Sequence, residues 1–316
     1  MKTRTLFFTA LILGATGCTV IAPESRTSRD TPVQSPDRVV ASMNRLYNDS
    51  NNKCLEAGTQ EPRGHYYCSG ITIRVVSSGD YPPWSHSPNV IETGSSSYSW
   101  IRHDYQTERL LYPAGFILRN PLEGATEGLQ ALENGFMCLY PFDAITGTNS
   151  VHKGCGLKKT NIIQAIYPQP TTNSNNAAHA WGSCEAMGVT TRTAWEEFFL
   201  KHSDLIHGER TLCSWNIESQ SGWNNAIASH ANFYSQLPVT NELLLEIKDD
   251  GTMLKKYIAA FFYDPANKPG EGLENARTFQ TKLNAGGYTV PILRIDFTAP
   301  PTQRFSYVAQ DQAIPQ

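Results

Sequence analysis

Three stretches of the chain put charged or hydroxyl side chains into runs that otherwise read as half-buried strands. Arg74 is flanked by Ile73 and Val75 in the run from Gly70 to Val76. A guanidinium there costs free energy unless it pairs with a core carboxylate or binds an anion, and both readings fit the residue types. From Thr93 to Arg102 hydroxyls alternate with aromatics, so Ser97 and Ser99 share one strand face while Tyr98 and Trp100 share the other. One face is suited to binding and the other to packing, although a Ser-rich loop running into an edge strand has the same composition. Finally, Glu242 stands at the mouth of the apolar run Leu243-Leu244-Leu245. A carboxylate so placed can stabilise positive charge across a cleft, whereas the ordinary fate of a strand-end Glu is solvation. Glu246 competes for that role, but it lies deeper in the strand beside Lys248, where a surface ion pair is expected.

Other chemistry lacks its signature. The sequence has no Gly-x-x-x-x-Gly-Lys-Ser/Thr loop, no Gly-x-Gly-x-x-Gly and no Gly-x-Ser-x-Gly. Of the eight histidines none lies in His-Glu-x-x-His, and the cysteines form no Cys-x-x-Cys, so neither a zinc hydrolase nor a structural zinc is expected. A formal net charge of -3 and a pI near 6.2 give no basic field, which argues against a nucleic-acid partner.

The elements that must hold these residues are mostly strands. Besides the Gly70 run, strand-like segments cover Ser96 to Ile101, Gly115 to Leu118, Phe136 to Tyr140, Ile162 to Ile166, Leu243 to Ile247, Tyr257 to Tyr263 and Pro291 to Phe297. Three helices are expected. The first is capped by Thr191 or Thr193, with Trp195, Phe198, Phe199 and Ile206 on one face and Glu196 placed for a capping box. The second carries Trp223, Ile227, Phe233, Tyr234 and Leu237 and stops at Pro238. The third carries Leu273, Ala276, Phe279 and Leu283 and ends at Gly286-Gly287. The pattern is α+β, with a mixed, largely antiparallel sheet and one strand-helix-strand return near the C-terminus.

The N-terminus reads as an export signal. Lys2 and Arg4 precede an apolar stretch, Leu6 to Leu13, too short to span a bilayer. Ala15-Thr16-Gly17-Cys18 then matches the lipoprotein processing pattern, and simple secretory cleavage after Gly17 would use the same small residues. Seven cysteines are an odd number for an oxidising compartment, and removing Cys18 as a lipid-bearing residue leaves six. Those fall into near-neighbour couples, Cys54-Cys68, Cys138-Cys155 and Cys184-Cys213. These close short loops and form readily, with the connectivity left open by sequence alone. The Pro-, Ser- and Thr-rich run after Cys18 reads as a tether. The resulting organisation is a signal segment over 1–18, a disordered tether over 19–45 and a single globular domain over 46–316. The expected destination is the outer membrane, through lipid on Cys18, or the extracellular medium.

Several segments together resemble the halovibrin family of secreted bacterial proteins. They are Tyr67 to Arg74, Trp84 to Asn89, Ser97 to Arg102, Cys138 to Asp143 followed by Gly154-Cys155-Gly156, Gly188 to Thr191 with Trp195, and Asn241-Glu242. The resemblance runs from about Cys54 to Phe297. It implies NAD+ glycohydrolase activity, that is, cleavage of the nicotinamide-ribose bond with NAD+ as substrate and neither metal nor cofactor. The order Arg, Ser-x-Ser, Glu is also similar to the Arg-Ser-Glu layout of ADP-ribosyltransferase-like folds, which would make Arg74, Ser97 and Glu242 catalytic. Glu242 would favour the oxocarbenium-like ribose, Arg74 would grip the pyrophosphate, and Ser97 would orient Glu242 or the ribose. Ser99, Tyr98, Trp100 and Arg102 would line the substrate side, with Tyr98 or Trp100 stacking on nicotinamide. Arginine-directed transferases carry a second glutamate two residues before the catalytic one. Thr240 stands there in this chain, which favours water over a protein as acceptor. Two alternatives remain: an ADP-ribosyltransferase toxin acting on a host protein, and a non-enzymatic lipid-anchored binding protein in which Arg74 and Glu242 are a structural pair. Neither a host target nor a cognate inhibitor is legible.

Overall fold

A computed structural model describes residues 35–51, 54–55, 62–63, 69–76, 82–85, 95–105, 110–119, 136–140, 188–191, 193–194, 197, 223–225, 228, 241–246 and 254–314. Of residues 54–55, 62–63, 95, 136–140 and 244–246 it describes the backbone alone. All of these fall within one compact unit, Gln34–Gln316. The expected export segment with Cys18, the strand expected at Ile162 to Ile166 and most residues of the first two expected helices lie outside the described residues. So do the side chains of all six remaining cysteines.

The fold is α+β. A small ribbon pairs β1 (Cys54–Leu55) with β2 (Pro62–Arg63). The main sheet has eight strands: β3 (Ile71–Val75), β4 (Ser95–Ile101), β5 (Ala114–Leu118), β6 (Phe136–Tyr140), β7 (Glu242–Glu246), β8 (Ile258–Tyr263), β9 (Ile292–Ile295) and β10 (Phe305–Tyr307). Their order across the sheet is β10-β9-β8-β5-β3-β4-β7-β6. Every pairing is antiparallel except β8 with β9, which is the expected strand-helix-strand return through α2 (Glu271–Ala285). β8 reads Ile-Ala-Ala-Phe-Phe-Tyr and is buried along its whole length, because a helix covers each side of the sheet there.

Strand alternation sorts the core into two layers. Tyr98, Trp100, Phe116, Phe261 and Ile292 face α2, which contributes Ala276, Phe279 and Leu283, and the same layer holds Trp84 and Trp223. Ile71, Ile73, Ile101, Phe262 and Leu293 face the other way, against Val39, Met43, Leu46 and Tyr47. Those four belong to α1 (Pro36–Asn48), a helix that overlaps the stretch assigned to the tether by composition. The tether boundary at residue 45 is therefore corrected: the folded body includes residues 36–45. Pro36 suits the first helical turn, where its missing N–H is no loss, and the apolar positions recur at helical spacing. Asn44 fixes α1 to the sheet, its side-chain amide donating to the Phe305 carbonyl at 2.9 Å and accepting the Phe305 N–H at 2.9 Å.

The third expected helix is present as α2, and Gly286-Gly287 ends it with Gly287 at φ 84°. Thr191 caps the helical turn at Thr193-Ala194 by accepting the Ala194 N–H at 3.2 Å. β10 has no counterpart in the sequence reading, since three residues are too few for a period to register.

Beyond β10 the chain crosses the parallel pair and stitches it to α2. The buried Asp311 carboxylate accepts hydrogen bonds from the Tyr263 hydroxyl at 2.6 Å and from Arg294 at 2.7 Å and 3.2 Å. The Arg277 guanidinium of α2 donates to the Asp311 carbonyl at 3.0 Å, and the Gln312 amide brackets both backbone groups of Ile292. Burial alone would raise the Asp311 carboxyl, but hydrogen bonds from Arg294 and Tyr263 and the charge of Arg294 outweigh it and hold it below the ordinary value. Burial, then the bond to Asp311 and its charge, push the Tyr263 phenol up to about 12. A depressed carboxyl stabilises the fold above its unfolded value of about 3.9, and that contribution is lost as pH falls through the lower folded value. Asp311→Asn is expected to cost about 1–3 kcal/mol at pH 7, because it strips charge from a bonded buried acceptor. Urea midpoints of both chains should converge as pH falls from about 4 towards 2. A gap constant across that window would show that the charge of Asp311 contributes nothing.

Candidate functional site

The pairings of β3, β4 and β7 decide which of the singled-out residues meet. Ile73 lies opposite Ser99, and Leu243 lies opposite Tyr98. Side chains alternate, so Ser97, Ser99 and Glu242 share one face, while Arg74, Tyr98, Trp100 and Leu243 share the other. The expected split between serines and aromatics is thus observed. The expected union of Arg74 with Glu242 is not: the sheet lies between them.

On the first face Ser97 is exposed, Ser99 is 6% exposed and Glu242 is 2% exposed. Glu242 opens β7, with Tyr140 of β6 as its partner on the far side. It is a buried carboxylate, not the solvated strand-end glutamate that base expectation gives. The Ser99 hydroxyl is committed, donating to the Asn241 carbonyl at 2.8 Å. Ser97 is therefore the hydroxyl of the pair that a bound molecule can reach.

The second face is a packed layer. Trp100 is fully buried, edge-on to Trp223 at 5.0 Å and to Tyr105 at 5.7 Å between ring centroids, and its indole N–H donates to the Ser69 carbonyl at 3.2 Å. Gly70, at φ 70°, lies so close beneath that ring that a Cβ would stand 2.2 Å from it. Tyr98 packs edge-on against Phe116. Neither ring is open to stack on a nicotinamide, so their expected substrate roles are corrected to core packing.

Arg102 is corrected in the same way. It is 1% exposed, its guanidinium holds Asp104 through a two-pronged pair at 2.6 Å and 2.8 Å, donates to the Ser69 hydroxyl at 2.9 Å and lies over the Trp100 ring. The chain turns back here through the Arg102–Tyr105 bridge, and the arginine locks that turn. Arg74 is half-buried with its guanidinium 5.6 Å from the Tyr98 ring centroid. Its Nη1 is buried without a hydrogen-bond partner, so the paired-carboxylate reading has no support among the described residues.

By sequence alone Asn241 stands out only as the neighbour of Glu242. It is 2% exposed, its side-chain carbonyl accepts the Trp100 N–H at 2.8 Å, and its side-chain amide donates to the Trp100 carbonyl. The amide thus stands in for one rung of the β4–β7 ladder. A hydrogen bond with the Tyr105 hydroxyl completes its partners, and burial raises that phenol well above its ordinary value. Among the described residues no group of three or more His, Cys, Asp and Glu is arranged to hold a metal ion, and no helix is long and apolar enough to cross a membrane. No protein-family model matches the chain, and no curated protein does either.

Proposed function

We propose that this chain is an exported NAD+ glycohydrolase of the halovibrin kind, with Glu242 as its catalytic carboxylate. The observation that carries the reading is a buried glutamate on the same sheet face as an exposed serine, beside an asparagine clamp. A carboxylate held away from water acts strongly on charge that develops beside it. In the reaction the bond between the ribose C1′ and the nicotinamide nitrogen breaks, and its electron pair leaves with nicotinamide. The ribose becomes oxocarbenium-like, Glu242 stabilises that charge, and water adds at C1′ with loss of a proton to give ADP-ribose. Ser97 contacts the ribose or Glu242. The pyrophosphate grip is not part of this set, because Arg74 faces the other side of the sheet.

The reading extends to an ADP-ribosyltransferase-like arrangement of the sheet, to three disulfides and to a lipid-bearing Cys18. It predicts that the oxidised chain, given NAD+ labelled in its adenylate half, releases nicotinamide and free ADP-ribose in equal amounts. Label passing to an added protein in excess of free ADP-ribose would make the chain a transferase. No NAD+ consumption by folded, oxidised protein would leave the binding-protein reading.

A further inference from the structure

Glu242 is the first residue of β7, and a strand end is ordinarily where a ladder frays and a side chain is least fixed. Here the preceding residue prevents that. The Asn241 side chain takes both the N–H and the carbonyl of Trp100, whose ring is itself immobilised between Trp223, Tyr105 and the Arg102 guanidinium. Ser99 holds the Asn241 main chain from the Glu242 side of the sheet, so the residue is pinned on both faces. A backbone rung would fix only the peptide, whereas this clamp ties the peptide before Glu242 to a buried aromatic cluster.

We infer that Asn241 is the positioning residue of the site, setting where the Glu242 carboxylate stands through its amide clamp on Trp100 and the Ser99 hook on its carbonyl; this rests on the reading of Glu242 given above. Misplacement of a catalytic group by about an ångström is enough to cost of the order of 100-fold in rate. Asn241→Ala is therefore expected to lower kcat for nicotinamide release by about 10- to 100-fold with KM for NAD+ within about threefold. Ser99→Ala, a smaller change that leaves the amide clamp in place, is expected to give a weaker loss of the same kind.

The second readout does not need turnover. With carbon-13 carboxyl-labelled glutamate, the Glu242 resonance is identified by its loss in Glu242→Gln, and its titration is compared between native chain, Asn241→Ala and Ser99→Ala. A displaced titration in either variant supports the inference. If the native chain turns over NAD+ while kcat and the Glu242 titration are unchanged in both variants, the inference is overturned and the hydrolase reading stands. If the native chain consumes no NAD+, the hydrolase reading fails, and the titration alone decides the role of Asn241. If Asn241→Ala does not fold, Ser99→Ala carries the same comparison.

Discussion

On the hydrolase reading, Glu242→Gln is expected to lower NAD+ turnover by roughly 100- to 1,000-fold, the range seen when one preorganised electrostatic group is removed from a transition state. The substitution keeps the size of the side chain and removes its charge. The buried setting of Glu242 is what makes the charge matter, since a carboxylate facing bulk water is screened from the developing cation. The fall should appear in kcat at saturating NAD+, with KM little changed, because the oxocarbenium charge exists only in the transition state. Nicotinamide release within about threefold of the native rate would remove Glu242 from the chemistry and leave it as a buried structural acid.

A chain beginning at Leu46 is expected to fail to fold, whereas one beginning at Gln34 is expected to melt cooperatively. The shorter chain loses the burial of Val39 and Met43, each worth about 1.5–3 kcal/mol, and the paired bonds between Asn44 and Phe305. That loss rivals the ~5–15 kcal/mol by which whole domains are stable. It also uncovers Ile73, Ile101 and Phe262 on the face that α1 covers. Far-ultraviolet circular dichroism with thermal melting separates the two chains, and equal midpoints would return residues 36–45 to the tether.

β3, β4, β5 and β8 are legible in the sequence within a residue or two, because alternation or an unbroken apolar run survives without tertiary context. The Ser97/Ser99 and Tyr98/Trp100 split followed from the same period. α1 is hidden in the sequence because Pro36, Asp37 and Arg38 continue the composition of the preceding segment, and its buried stripe becomes visible only when the window extends to Tyr47. Placing Arg74 against Glu242 needed more than a period. Each strand's alternation was correct, but which face of β3 matches which face of β7 depends on β4 lying between them in a particular register. Arg102 and Asn241 were illegible for a related reason. Asp104 and Trp100 become their partners only after the chain turns at Arg102 and β7 docks beside β4.

The Asn44 clamp has a consequence for the company this protein keeps. β10 is the last strand at one margin of the sheet, and the Asn44 amide occupies both main-chain groups of Phe305. An open margin is a template on which a second chain can add a strand, the route to aggregation at high concentration. A chain meets that hazard whenever it folds among its own copies. With Asn44 seated, an incoming strand finds the rung at Phe305 already filled. α1 therefore acts as a cover that keeps the sheet from growing past its own eighth strand.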